Sequence, residues 1–114
     1  MDKDWDKELQ VWRQRGGECK KELPEVTTDF MHLLRDGYKD GALSHKTKEL
    51  MALGMGVNAR CEGCITMHCK AAIDAGATLE EIAETIQISI SMGGGPSWVY
   101  GGLALQVAKQ YLKD

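Results

Sequence analysis

The chain is expected to fold as an all-α helical bundle, one small domain that oligomerises. Apolar residues recur at helical spacing along most of its length, glycine, proline and capping residues punctuate it at intervals suited to helices, and no two segments alternate strongly enough to pair as strands. At 114 residues a chain buries somewhat more than ~60% of the surface that its unfolded form exposes, so one core is feasible without staples.

Trp5, Leu9 and Trp12 share one face of a charged first segment, an amphipathic arm over residues 1–20, and Gly16-Gly17 is expected to end or loosen it. Pro24 suits the first turn of a second helix, whose apolar face of Leu23, Val26, Phe30, Leu33 and Leu34 stops near Gly37. Ser44 is the expected N-cap of a third helix, in which Leu50, Leu53 and Val57 share a face and Glu49 sits one step off it.

Asn58-Ala59-Arg60 has turn character. A fourth helix then begins within Cys61 to Cys64 and runs to Gly76, which fits a left-handed cap. Thr78 and Glu81 have the form of a capping box, so a fifth helix starts at Leu79. Its later part also alternates through Ile86, Ile88, Ile90 and Met92, but an isolated strand would leave both edges unpaired, and helix is the expectation. Gly93-Gly94-Gly95 breaks the chain, and Pro96 opens a last helix through Leu112. That helix is apolar nearly all round, from Trp98 and Val99 to Tyr111, which suggests that part of it meets another subunit.

The net charge of −3, with both signs interspersed, supplies no basic stripe for phosphates and argues against nucleic-acid binding. No apolar run approaches the ~20 residues of a membrane span, and the opening residues lack the apolar core of a secretory signal, so a cytoplasmic protein is the expectation. In a reducing compartment four cysteines point to redox chemistry, metal binding or plain burial rather than a disulfide framework.

Cys61, Cys64 and His68 stand at i, i+3 and i+7 of the expected fourth helix, along one stripe. A histidine beside a thiol can take its proton, and a helix N-terminus stabilises the thiolate left behind. Glu49 would complete a proton relay if the third and fourth helices pack antiparallel; otherwise it is a solvated acid next to Lys48. Cys19 and Cys69 are read as small buried hydrophobes, and His32 and His45 as surface or satisfied histidines. Zinc on Cys61, Cys64, His68 and Cys69 is the rival reading, although one straight helix cannot wrap a tetrahedron. Covalent haem attachment is disfavoured because Ile65, not histidine, follows Cys64.

Residues 44–102 carry a family resemblance. Lys46-Thr47-Lys48-Glu49-Leu50, Cys61-x-x-Cys64-x-x-x-His68, Gly76-Ala77-Thr78 with Glu80-Glu81-Ile82, and Gly93-Gly94-Gly95-Pro96 together resemble the alkylhydroperoxidase AhpD-like branch of the carboxymuconolactone decarboxylase family. The resemblance implies an AhpD-like helical bundle assembled into homo-oligomers, commonly trimers or hexamers. It implies a thiol-dependent peroxidase or disulfide oxidoreductase with no metal or organic cofactor, in which Cys64 attacks a small hydroperoxide or disulfide, Cys61 resolves, and His68 and Glu49 relay protons. A lipoyl or thioredoxin-like dithiol protein would re-reduce it. One position departs: the peroxidase members have a histidine just before the second cysteine, where this chain has Gly63. Two alternatives stay open, a non-enzymatic redox-sensing or zinc-binding module on the same cysteines, and a decarboxylase, against which the dithiol speaks.

Overall fold

A computed structural model describes residues 3–113. Among them are six helices and no strand: α1 Trp5–Glu22, α2 Pro24–Gly37, α3 His45–Asn58, α4 Glu62–Asp74, α5 Leu79–Gly93 and α6 Gly95–Lys113. The core is shared by α3 through α6, where Leu53, Val57, Ile65, Ile82, Ala104 and Val107 are fully buried, and Trp5 of α1 packs onto it. Each such Leu or Ile contributes on the order of 1.5–3 kcal/mol, so these four helices form the rigid frame.

The helix starts follow their caps. Ser44 Oγ accepts the Thr47 N–H at the start of α3, and Thr78 with Glu81 forms a complete capping box before α5. Gly76 adopts φ +98° just past α4, the left-handed geometry that only glycine takes without strain. Helix also prevails in α5, because Ile82, Ile86 and Ser89 face the core while Ile88 and Met92 are exposed.

Two expectations fail. Gly16-Gly17 does not end α1, which continues to Glu22. Two glycines cost about 2 kcal/mol together, a penalty spread over a helix that Asp4 caps and that Trp5 and Leu9 anchor in the core. What ends α1 is Pro24, whose ring forces Leu23 out of helical geometry to φ −131°, ψ 61°. Cys19 is exposed, not buried, because it lies on the solvated stretch of α1. Cys69 is buried as expected, its sulfur directed at the Ala104 carbonyl of α6.

Much of the apolar face of α2 is left uncovered by the described residues. The helix contains no buried residue, and Leu23, Val26, Phe30 and Leu33 are all more than half exposed. Trp98 and Val99 at the start of α6 are exposed as well.

Candidate active site

Antiparallel packing of α3 on α4 builds the site. Gly56 allows the close approach, since a Cβ there would stand 3.2 Å from Cβ of Cys64. The connection is a Schellman turn: Cys61 N–H donates to the Gly56 carbonyl and Arg60 N–H to the Val57 carbonyl, with Arg60 itself at φ 56°. A non-glycine residue in that region carries some strain, and the turn it makes sets Cys61 at the N-cap of α4.

Cys61 and Cys64 are joined as a disulfide, their Cα atoms 5.2 Å apart, within the usual span for such a bridge. The Cys64 N–H donates to Cys61 Sγ at 3.2 Å. The helix terminus therefore serves the Cys61 sulfur, whereas Cys64 lines the cavity described next. Both residues are partly exposed.

Glu49 is 6% exposed. Its Oε1 lies 2.8 Å from Nδ1 of His68, so the carboxylate is paired inside the fold rather than solvated beside Lys48. A carboxylate there favours the tautomer with hydrogen on Nδ1. Tyr38 stacks on the His68 ring, centroids 5.5 Å apart and planes 19° from parallel. Burial and, after it, the Glu49 charge push the Tyr38 phenol above its ordinary range, so it serves as a neutral wall.

These groups share a cavity of about 850 Å³ that contains Cys64, His68, Glu49, His45 and Tyr38, with Phe30, Leu34, Met67 and Ala71 as its apolar wall and Arg35, Lys39 and Asp40 near its mouth. A second cleft of about 550 Å³, between the start of α1 and the end of α6, contains no cysteine or histidine.

His45, expected to be a surface or satisfied histidine, adjoins the site. Its Nδ1 is 2.6 Å from the Tyr38 carbonyl and its Nε2 is 3.7 Å from Glu49 Oε2. The i, i+4 spacing of His45 and Glu49 was the signal in the sequence that could have found it. Tyr38 carried none. Cys69 faces α6, so the four sulfur and nitrogen groups weighed as zinc ligands do not converge, and among the described residues no cluster of three or more His, Cys, Asp or Glu is placed to hold a metal. His32 is exposed.

At Gly63 the chain has reason to lack a side chain. A Cβ there would lie 3.0–3.3 Å from the Trp12 ring, which covers the first turn of α4, and the Arg15 guanidinium stacks on that ring at 4.5 Å from its centroid.

Residues 24–110 match the family model described as "Carboxymuconolactone decarboxylase family". The chain belongs to this family. It is similar over 96% of its length, with a TM-score of 0.91 and 35% identity, to apo-lpg0406, a carboxymuconolactone decarboxylase family protein from Legionella pneumophila, 98% of which is covered. A carboxymuconolactone decarboxylase family protein from Thermotoga maritima, for which a part in antioxidative response has been suggested, aligns at TM-score 0.83 and 28% identity over 93% of this chain and 91% of that one. An uncharacterized protein of Cupriavidus necator is 35% identical over 82 residues, 72% of this chain and 73% of its own. The all-α fold is thus the carboxymuconolactone decarboxylase family fold, and among the described residues no helix is long and apolar enough to cross a membrane.

Proposed function

We propose that the protein is a thiol-dependent peroxidase or disulfide oxidoreductase that cycles Cys61 and Cys64 between dithiol and disulfide. The observation that carries this reading is the Glu49–His68 pair at 2.8 Å in the same cavity as Cys64, whose neighbour Cys61 already forms a bridge with it.

In the reduced protein His68 Nε2 takes the Cys64 proton. The thiolate attacks the outer oxygen of a hydroperoxide, the O–O bond breaks, the released alkoxide takes a proton from His68, and Cys64 becomes a sulfenic acid. The Cys61 thiol displaces hydroxide from that sulfur, which leaves as water and closes the disulfide. A dithiol protein, lipoyl or thioredoxin-like, then attacks Cys64 Sγ from the cavity. Cys61 departs as a thiolate stabilised by the Cys64 N–H, and the donor finishes as its own disulfide. With a disulfide substrate the first steps are replaced by thiol exchange, and the same proton groups serve.

The suggested antioxidative part of the Thermotoga protein supports the reading. So does the apolar wall of Phe30, Leu34, Met67 and Ala71, which suits an alkyl hydroperoxide. The unpartnered face of α2 and the exposed start of α6 support a homo-oligomer, trimer or hexamer, as the working form.

The test is consumption of an organic hydroperoxide in the presence of a lipoyl or thioredoxin-like donor, with mass spectrometry for the Cys61–Cys64 bridge. Turnover that disappears in Cys64→Ser is the expected result, and equal turnover in that variant rules the reading out.

A further inference from the structure

We propose that His45 is the outer end of the proton path, a positioning residue that carries the proton of the Cys64 thiol from Glu49 to solvent. This rests on the redox reading above and adds a third member to its relay.

The tautomers are dictated by what each nitrogen faces. A carbonyl oxygen can only accept, so His45 Nδ1, 2.6 Å from the Tyr38 carbonyl, carries hydrogen and donates it. His45 Nε2 then faces Glu49 Oε2 and is the ring atom open to a proton from the carboxyl side. On the opposite side Glu49 Oε1 accepts from His68 Nδ1.

A transfer through this chain balances. The thiol proton moves to His68 Nε2, the His68 Nδ1 proton moves to the Glu49 carboxylate, and the carboxyl, turning, delivers it to His45 Nε2. Cys64 ends as a thiolate, His68 as a neutral ring, Glu49 as the carboxylate it began as, and His45 as an imidazolium, so the total charge is unchanged. At 3.7 Å the last gap exceeds hydrogen-bond length, and a ring shift on the order of half an ångström closes it.

Exposure along the path rises in the direction required. The Glu49 side chain is 8% exposed and that of His45 is 43% exposed, so the imidazolium can lose its proton to water. The surroundings leave His45 as the outlet. Asp40 accepts the His45 backbone N–H, which fixes the start of α3 rather than the ring. Arg35 and Lys39 are paired with Asp36, and Lys48 donates to the Lys39 carbonyl. Tyr38, its phenol raised above the ordinary range, carries no proton away at neutral pH.

The experiment uses full-length protein with His45→Gln, which keeps size and polarity but cannot relay, and His45→Ala, which leaves room for free imidazole. Steady-state turnover is expected to fall about tenfold in both at neutral pH. Millimolar imidazole in the buffer should restore His45→Ala and leave Glu49→Gln at its reduced rate. A loss that imidazole does not repair would assign His45 a structural role only and overturn the proposal.

A second readout needs no turnover. Exchange of the His68 Nδ1 proton with water, followed by NMR on the oxidised protein, should slow in His45→Gln. Unchanged exchange overturns the proposal, even if no substrate is ever found. Slowed exchange in a protein that turns over no peroxide or disulfide would instead uphold the path and reject the redox reading.

Discussion

Glu49 and His68, nineteen residues apart, meet at 2.8 Å because α3 and α4 run antiparallel from a turn so tight that the Cys61 N–H still bonds to the Gly56 carbonyl. The same turn that caps α4 with a sulfur folds the carboxylate back over the imidazole. Removing the acid while keeping its shape isolates this relationship. Glu49→Gln should retain the fold and form the Cys61–Cys64 bridge under oxidant, yet lose about a hundredfold in turnover, the usual scale for a positioned proton-transfer group. The check is steady-state peroxide or disulfide reduction beside a thermal melt.

Glycines in two settings should respond in opposite ways. At Gly16 nothing lies within 4 Å of a built Cβ, so Gly16→Ala should raise stability by up to about 1 kcal/mol through helix propensity alone. At Gly101 a Cβ would meet Cγ2 of buried Ile86 at 2.6 Å, where α5 crosses α6. Gly101→Val should cost about 2–3 kcal/mol by overpacking. Urea unfolding midpoints at unchanged slope distinguish the two.

Burial pushes the Cys69 thiol from its ordinary 9.0 up to about 12. A group whose value is raised by folding contributes its full stability below the unfolded value and loses it as pH climbs to the folded one. Stability should therefore decline between about pH 9 and pH 12, by up to about 4 kcal/mol from this thiol. Tyr111, raised by burial and then by its hydrogen bond to Asp6, adds to the same alkaline limb. Cys69→Ala should flatten the decline in a pH series of chemical unfolding, and an unchanged slope would contradict it.

The exposed side of α2 predicts assembly. Wild-type protein should sediment well above the 12.6 kDa of one chain. Val26→Glu with Leu33→Glu, at positions 66% and 65% exposed and so harmless to the single subunit, should sediment as a monomer. A wild type that is already monomeric, or a double variant that still assembles, would exclude this face as the interface.

The helices were legible because their ends are written in local chemistry. Ser44, Thr78 with Glu81, Gly76 and Pro24 each satisfy or forbid particular backbone groups, and each marks a boundary. Gly16-Gly17 misled because propensity is weak beside the anchoring of Trp5 and Leu9 in the core. In the site, the dithiol and His68 follow from spacing on one helix. The burial of Glu49, the stacking of Tyr38 and the ring of Trp12 above Gly63 are products of helices meeting, and no local pattern encodes them. His45 stands between these cases, since its four-residue offset from Glu49 was visible and only its orientation was not.

The stretch that matches the family begins at residue 24, whereas the indole lying over Gly63 belongs to α1, upstream of it. The cover over the first turn of α4 is thus contributed from upstream of the residues that match the family model. A fragment trimmed to the matched stretch would leave the first turn of α4 bare on the side that the indole now covers.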